Sequence, residues 1–290
     1  GISWAYPSND DYLITPKLHV NTGDNLEFDT WAYSSTYPEI YEVYVQTSKD
    51  LSTWTTPVFV DTVDWLEPTQ FIIDLTDYED TDVYVGFRNI SPNCYYQFID
   101  NIYVGPTITA IHDVQYVPDP ETDDTTPLDG QVVNVRGIIT TAAGEFSDSC
   151  FFIQDAEMPW SGIQVYAPGN DTLNRGDEIL VTGTAGEYSG KTQIGSVTSI
   201  KLLGTGNVVQ PIGIGLGELG TAATGEAYEA VLVGAEMLKI TSISVDNWNV
   251  TDGVDTAVVS EHYADLIYEP AVGDFIDVVG IVWPYNGYPI

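Results

Sequence analysis

The chain has 290 residues, which is enough for two or three domains of the usual size. Its 43 acidic residues outnumber the 8 lysines and arginines and give a formal net charge of −35 at pH 7. That charge argues against a nucleic-acid partner, because basic side chains are needed to neutralise phosphates. No stretch reaches the roughly 18 apolar residues of a membrane-spanning helix. The two cysteines, Cys94 and Cys150, are too few for a disulfide framework.

The first region, residues 1–106, is predicted to be a β-sandwich. Its short segments alternate apolar and polar residues with a period of two and end at Gly, Pro, Asn or Asp, as half-buried strands do. The predicted strands are 26–33, 40–47, 71–75, 83–89 and 97–104. Strands of this length and spacing favour two packed sheets, and Gly105-Pro106 marks the end of the domain.

Four segments of this region carry a family resemblance. They are residues 11–18 (DYLITPKL), 26–28 (LEF), 41–48 (YEVYVQTS) followed by Trp54, and 98–102 (FIDNI). In this order they resemble the cleaved-adhesin or choice-of-anchor J domain, a jelly-roll sandwich related to MAM and laminin-G-like modules. The resemblance covers residues 9–104 and implies a secreted bacterial surface protein. The family has a strand or two before the DYLITP motif, whereas ten residues precede it here, so that strand is expected to be missing, rearranged or supplied from elsewhere.

The same resemblance implies bound calcium, which takes carboxylate and carbonyl oxygens as ligands. The oxygen-rich positions that match the ends of the family's motifs are Asp10, Asp11, Asp24, Asp100 and Asn101. We therefore expect a Ca²⁺ site that joins the N-terminal segment to the last strand of the sandwich. The alternative is that these residues form a solvated turn and a strand-end cap.

The rest of the chain contains an internal repeat. Residues 174–190 (NRGDEILVTGTAGEYSG) recur at 271–287 (AVGDFIDVVGIVWPYNG), so that Gly176 and Asp177 correspond to Gly273 and Asp274 at a constant offset of 97 residues. An ungapped match of this length predicts a duplicated domain. The predicted strands are 131–140, 150–155, 162–166, 178–183 and 192–203 in the first copy, and 230–240, 248–252, 257–260 and 275–282 in the second.

Five short strands with a Gly-Asp turn before the fourth predict a small Greek-key barrel. We therefore expect an all-β chain, with an N-terminal jelly-roll β-sandwich at 1–106 followed by two tandem five-stranded OB-like Greek-key barrels at 107–206 and 207–290.

Both barrels carry a second resemblance. Residues 133–137 (VNVRG), 151–155 (FFIQD), 161–166 (SGIQVY) and 175–183 (RGDEILVTG) resemble the YhcR-like OB-fold modules found beside secreted nucleases and phosphatases. In the second copy, residues 225–229 (GEAYE) with Leu232 and Val233 match the other half of the family pattern. The resemblance implies a fold and a secreted location rather than a ligand.

The second barrel is expected to lack its closing strand. The first copy continues through 191–203, whereas the constant offset makes Ile290 the counterpart of Gln193. Proteins normally cover or pair an open sheet edge. Two interpretations stay open: the sequence is a piece of a longer chain, or a neighbouring subunit donates a strand.

Catalytic patterns are weak. His19, His112 and His262 are scattered, with no nucleophile motif such as GxSxG near them. Carboxylate pairs of the kind that cleave glycosides do not stand out from the general acidic excess. Arg175-Gly176-Asp177 spells an adhesion tripeptide, but only Gly-Asp recurs in the second copy, which favours a turn.

Aromatic residues near Asp and Asn are candidates for stacking on sugar rings. They are Trp31, Tyr33 and Tyr44 in the first region and Trp160 in the second. The alternative for each is packing in a core or on a sheet face.

These observations predict a non-catalytic secreted or cell-surface protein of adhesion or assembly, whose subunits join into an extracellular filament by exchanging β-strands. Its expected partners are identical subunits and a cell-surface glycan or protein, with no nucleic acid and no membrane span. The alternative is the accessory carbohydrate-binding part of a larger secreted hydrolase, such as a nuclease, protease or glycanase.

Overall fold

The computed structural model describes residues 2–3, 9–92, 95–147, 149–170, 172–245, 247–260, 268–284 and 290. Two compact units divide the chain, Gly1–Thr107 and Ile108–Ile290. Strands dominate both units, and the described part contains only two short α-helices, so the predicted all-β fold class is confirmed. No helix in these residues is long and apolar enough to cross a membrane. Cys94 and His262 lie outside the described residues.

The described part of the first unit contains nine strands in two antiparallel sheets. They are β1 (Ile2–Ser3), β2 (Asp11–Ile14), β3 (Leu18–Val20), β4 (Asp24–Ala32), β5 (Glu39–Gln46), β6 (Phe59–Val63), β7 (Thr69–Asp74), β8 (Thr81–Asn89) and β9 (Tyr96–Pro106). One sheet has the order β1-β9-β4-β7, and the other has the order β2-β8-β5-β6 with β3 also paired to β8. β1 lies antiparallel to β9, so a two-residue strand precedes the DYLI segment of β2.

The two sheets share an apolar core, because alternate residues of each strand point inward. Phe28 of β4 is fully surrounded: its ring meets those of Tyr41 and Phe87 edge-on, at centroid distances of 6.3 and 4.9 Å, and stacks on Phe71 at 5.7 Å. Edge-to-face and offset contacts of this kind are the favoured aromatic geometries. The period-two pattern of the sequence therefore becomes a packed two-sheet sandwich.

The second unit contains both repeat copies. Its elements are α1 (Ile111–Gln115), β10 (Val132–Thr141), β11 (Cys150–Gln154), β12 (Gly162–Tyr166), β13 (Glu178–Glu187), β14 (Thr192–Gly204), β15 (Ile212–Gly213), α2 (Ala222–Gly225), β16 (Leu232–Ser244), β17 (Asn247–Thr251), β18 (Thr256–Ser260) and β19 (Phe275–Ile281). Short 3-10 turns at Leu216–Leu219 and Glu226–Tyr228 lead into the second copy.

The first copy closes into a five-stranded barrel with the order β10-β11-β12-β14-β13. Only β12 and β14 run parallel, and the other neighbours are antiparallel. Inward residues of every strand, such as Ile153, Val165, Val181 and Ile194, are fully buried. This is the Greek-key barrel that the strand pattern predicts.

The repeated Gly-Asp pair is a turn that both copies build with the same hydrogen bonds. Gly176 and Gly273 have φ angles of 87° and 102°, a backbone region that glycine adopts without strain. The Asp177 carboxylate accepts the N–H of Asn174 at 2.9 Å, and the Asp274 carboxylate accepts the N–H of Ala271 at 3.1 Å. Turn geometry thus accounts for the recurring Gly-Asp pair.

The second copy forms a sheet rather than a closed barrel within the described residues. β16 pairs with β17 and β19 antiparallel and with β15 parallel, and β17 pairs with β18. The Ile290 N–H donates to the carbonyl of Val258, and the Ile290 carbonyl accepts the Ser260 N–H. These two hydrogen bonds place Ile290 parallel to β18, just as Ile194 of the first copy pairs in parallel with Val165 of β12. Ile290 is therefore the counterpart of Ile194, one residue beyond the position that the constant offset gives.

Candidate functional site

The candidate site is the solvent side of strands β4 and β9 in the first unit. Leu26, Phe28, Thr30 and Ala32 of β4 are buried, so the residues between them point to the other side of the sheet. We name this surface the β4–β9 face. Its residues are Asp29, Trp31, Tyr33, Tyr37, Tyr95, Tyr96, Phe98, Asp100 and Asn101.

Four tyrosines form an exposed cluster at one end of the β4–β9 face. Tyr33, Tyr95, Tyr96 and Tyr37 have exposed fractions of 61%, 46%, 44% and 40%. The Tyr33 ring stacks on Tyr95 at a centroid distance of 5.6 Å and meets Tyr96 edge-on at 5.9 Å. Tyr37 reaches Tyr95 at 5.2 Å. Contiguous exposed apolar surface of this kind marks interaction sites in soluble proteins.

The cluster continues along the strands as a second aromatic pair. Trp31 and Phe98 are directly opposite each other on β4 and β9 and stack at 5.1 Å. They lie two residues from Tyr33 and Tyr96, which corresponds to about 6.7 Å along a strand. The next outward pair, Asp29 and Asp100, is acidic. The face therefore runs from tyrosines through a Trp–Phe pair to two carboxylates.

A β-bulge shapes the acidic end. The pairing of β4 with β9 shifts by one residue between Glu27 and Asp29, and Asn101 of β9 has a φ of 50°. Asparagine tolerates this left-handed region better than most residues. From that position its side-chain amide donates to the Asp29 carboxylate at 2.6 Å. The bulge thus turns an amide toward the carboxylates.

A buried polar network fixes the start of β9 beneath the tyrosines. The Glu39 carboxylate accepts the backbone N–H of Tyr95 at 2.7 Å and the Asn89 side-chain amide at 3.1 Å. The same Asn89 amide donates to Gln97, whose own amide donates to the Thr30 hydroxyl at 3.1 Å. These four network side chains are at most 1% exposed. Hydrogen bonds in such a low-dielectric setting hold the backbone in one conformation.

The structure does not bring the five predicted calcium ligands together. Asp10 forms an ion pair with Arg88 at 2.6 Å, and Asp11 begins β2 in the sheet opposite β4 and β9. Asp24 begins β4 and accepts two hydrogen bonds from Asn21, whereas Asp100 on β9 lies opposite Asp29, five residues further along β4, and Asn101 follows it.

In the part of the chain that the structure describes, no group of three or more His, Cys, Asp and Glu residues is arranged to hold a metal ion. Calcium binding at Asp10, Asp11, Asp24, Asp100 and Asn101 stays a prediction.

Two of the four predicted sugar-stacking residues, Trp31 and Tyr33, lie on the β4–β9 face. Tyr44 does not offer a ring to solvent: it is 2% exposed, lies among Tyr12 and Trp54, and donates its hydroxyl to Glu42. Trp54 packs there because Gly86 leaves room, since a Cβ at Gly86 would lie 2.0 Å from its ring.

Trp160 belongs to the second unit. Its backbone N–H donates to the Ala227 carbonyl at 2.6 Å, and its ring meets Tyr116 edge-on.

Sequence reasoning missed five members of the face: Asp29, Tyr37, Tyr95, Tyr96 and Phe98. Tyr96 and Phe98 are two residues apart, as Trp31 and Tyr33 are, so the sequence does contain the period-two pattern. It does not contain the strand register that places the two pairs opposite each other. Tyr37 and Tyr95 lie outside regular strands, where no periodicity points to them.

In the second unit, the second copy covers the outer face of β11 and β12. The Trp283 ring lies 4.7 Å from Phe146, 5.5 Å from Phe152 and 4.7 Å from the Lys191 ammonium. The Gln154 side chain accepts the Leu232 N–H at 3.0 Å. Barrels of this topology bind oligonucleotides and oligosaccharides on this face and its adjoining loops. Here an intramolecular interface takes that place.

A buried carboxyl lies at the same junction. The Glu229 carboxyl accepts the Thr192 N–H at 2.8 Å and is 2% exposed. Burial raises its pKa well above the ordinary value, and the nearby Glu226 carboxylate raises it further. Burial likewise raises the pKa of Glu187, which accepts the Thr192 hydroxyl at 2.6 Å.

The two histidines in the described residues lie at the surface. His19 contacts Asp82 at 3.0 Å and His112 contacts Asp113 at 3.3 Å, and these side chains are about half exposed or more.

No family model matches the chain, and no curated protein matches it. Among solved structures, that of the hypothetical protein ygiW from E. coli is similar over 26% of this chain and 77% of that one, with 22% identity and a TM-score of 0.22. A similarity this weak supports no statement about fold or function.

Proposed function

We propose that the protein is a non-catalytic adhesion protein, secreted or held at a cell surface, which binds carbohydrate on its β4–β9 face. The observation that supports this proposal best is the exposed cluster of Tyr33, Tyr37, Tyr95 and Tyr96. Aromatic rings can bury the apolar face of a sugar, and the carboxylates and amide beside them can bond its hydroxyls. The buried network under β9 holds these rings in place before a ligand arrives, which reduces the entropic cost of binding.

Removal of two rings of the β4–β9 face is expected to weaken carbohydrate binding strongly without unfolding the protein. In the double variant Trp31→Ala/Tyr33→Ala, affinity for a bound glycan should fall by about a hundredfold, the equivalent of about 2.7 kcal/mol. Glycan-array screening followed by calorimetry on the best ligand measures this loss.

The matched control is Tyr188→Ala, because Tyr188 is 63% exposed but lies in the second unit. Equal affinity of the double variant and the native protein would refute a role of the β4–β9 face.

The same reasoning disfavours a nucleic-acid partner. The net charge is −35, and counter-ion release requires cations that contact phosphates. On the first barrel, Lys191 is 7% exposed and covered by Trp283.

A second candidate function, assembly by strand addition, is favoured by the edge of β19. Among the described residues β19 pairs with β16 alone, whereas its counterpart β13 pairs with both β10 and β14. Ile179 and Val181 of β13 are fully buried, but their counterparts Ile276 and Val278 are only partly buried. We propose that a strand from another subunit runs antiparallel along this edge.

A peptide with the sequence of residues 195–204, a segment of β14 that pairs with β13, is expected to bind this edge. Hydrogen exchange of the β19 amides should slow by about tenfold in its presence, as mass spectrometry of the exchanged protein would show. A scrambled peptide is the control. Unchanged exchange with both peptides would remove strand addition at β19 as a candidate.

The accessory part of a larger secreted hydrolase is the alternative to an adhesion protein. Both interpretations use the same carbohydrate-binding face, so the binding experiment does not separate them. A catalytic domain encoded in the same reading frame would favour the hydrolase.

A further inference from the structure

We infer that the β4–β9 face binds the interior of an unbranched, uncharged glycan chain that lies along the strands. This inference rests on the proposed carbohydrate binding and adds the class of ligand. Two properties of the face carry it: the linear arrangement of its side chains, and the absence of basic residues from its strands.

The outward side chains form a line rather than an enclosure. Successive cross-strand pairs are Tyr33 with Tyr96, Trp31 with Phe98, and Asp29 with Asp100. They follow each other at intervals of two residues, so the line extends about 13 Å from the first pair to the third. Such a row offers successive sugar units one contact each. Recognition of a chain end would instead require side chains that surround a single sugar.

The charge of the face excludes acidic sugars. No lysine or arginine occurs in β4, β7 or β9. The first unit has three basic residues, Lys17, Lys49 and Arg88. Lys17 pairs with Asp82 of β8, and Arg88 of β8 pairs with Asp10 and Glu42, while the Lys49 ammonium lies over the Tyr84 ring. These partners place all three cations with the sheet that contains β8.

A uronate or sulfated sugar needs such cations, because carboxylate and sulfate groups are bound by charge-assisted hydrogen bonds. On the β4–β9 face it would meet Asp29 and Asp100, and like charges in contact repel. Neutral hydroxyls have the opposite preference, since a carboxylate is a strong acceptor for them. The acidic end therefore selects neutral sugars as well as binding them.

The test compares oligosaccharides that differ in length and in charge. With the full chain in calorimetry, neutral hexasaccharides of cellulose and chitin are the probes, with their disaccharides and an oligogalacturonate hexasaccharide for comparison. At least one neutral hexasaccharide is expected to bind about tenfold more tightly than its disaccharide and about tenfold more tightly than the oligogalacturonate.

The double variant Asp29→Asn/Asp100→Asn tests whether the charge of these two carboxylates, rather than the shape of the face, selects against acidic sugars. This variant should bind the neutral hexasaccharide about threefold more weakly than the native protein does, and the oligogalacturonate more tightly by a similar factor. The control Asp77→Asn/Asp80→Asn removes the same charge from exposed positions that follow β7, and should change neither affinity.

The outcomes distinguish this inference from the function on which it rests. Lack of binding to every glycan on an array would overturn the proposed carbohydrate binding itself. Equal affinity for the disaccharide and the hexasaccharide, or tighter binding of the oligogalacturonate, would overturn the inference and leave carbohydrate binding in place.

Discussion

Replacement of Trp283 by alanine is expected to lower the free energy of unfolding of the second unit by roughly 3 kcal/mol, at the lower end of the range for a packed tryptophan. The ring contacts Phe146 and Phe152 of the first copy, and the Lys191 ammonium lies over it. Its loss leaves two aromatic side chains without their partner and a nearly buried cation without its π-face. Chemical denaturation followed by circular dichroism measures the change.

Two further variants show whether the ring itself is responsible. Trp283→Phe keeps an aromatic face and should recover about half of the lost free energy, whereas Lys191→Met should cost about 1 kcal/mol because it removes the cation and keeps the aliphatic stem. Tyr188→Ala, at an exposed neighbouring position, should cost less than about 0.5 kcal/mol. A Trp283→Ala protein as stable as the native one would show that the copies are held together by other contacts.

The repeat predicts the strands and the turn within each copy better than it predicts how the two copies pack against each other. The Gly-Asp turn recurs at a constant offset, and both copies build it with the same hydrogen bonds. The junction depends instead on positions where the copies differ. By the same offset, the counterparts of Trp283 and Glu229 are Gly186 and Val132. A comparison of the two copies therefore contains no signal for the contact between them.

A glycine at the junction likewise could not be explained from the sequence. A Cβ at Gly162 would lie 2.2 Å from the Ala230 carbonyl oxygen of the second copy, so this strand residue must be small. In the sequence, Gly162 is simply the first residue of a predicted strand. The need for a glycine at this position becomes visible only when the two copies are placed together.

The candidate site was predictable in part, for a similar reason. Alternation along the predicted strand 26–33 puts Trp31 and Tyr33 on one side of it, and this much follows from sequence. The rule failed for Tyr44, because the outer side of β5 is covered by Trp54 and is not open to water. The opposite strand could not be placed, because the bulge at Asn101 shifts the register by a residue that no local pattern indicates.

Glu229 is the group at the junction that should make the stability of the second unit depend on pH. One of its carboxyl oxygens accepts the Thr192 N–H, and the other has no hydrogen-bond partner among the residues that the structure describes. Burial first, and then the Glu226 and Glu187 carboxylates, raise its pKa well above 4.5, while the Thr192 N–H and Lys191 act in the opposite direction. The folded protein therefore holds this proton more tightly than the unfolded chain does.

The sign of the effect follows from that difference. A carboxyl whose pKa is raised by folding contributes stability fully below its unfolded pKa, near 4.5, and the contribution is lost as the pH rises through the folded pKa. Glu229→Gln keeps the acceptor for Thr192 and removes the buried charge. At about pH 8 it should raise the free energy of unfolding of the second unit by roughly 1–3 kcal/mol, and near pH 5 it should change little.

Denaturant titrations of both proteins across this pH range measure the difference, which isolates Glu229 from the general repulsion of so acidic a chain. Glu236→Gln removes the same charge from an exposed position of β16 and should give no pH-dependent difference beyond about 0.5 kcal/mol. If Glu229→Gln and the native protein keep a constant difference in the free energy of unfolding from pH 5 to pH 8, folding does not raise the pKa of this carboxyl, and Glu229 is ionised in the folded junction over that range as it is in the unfolded chain. A destabilised Glu229→Gln protein at about pH 8 would instead show that the charged form is the one the junction requires.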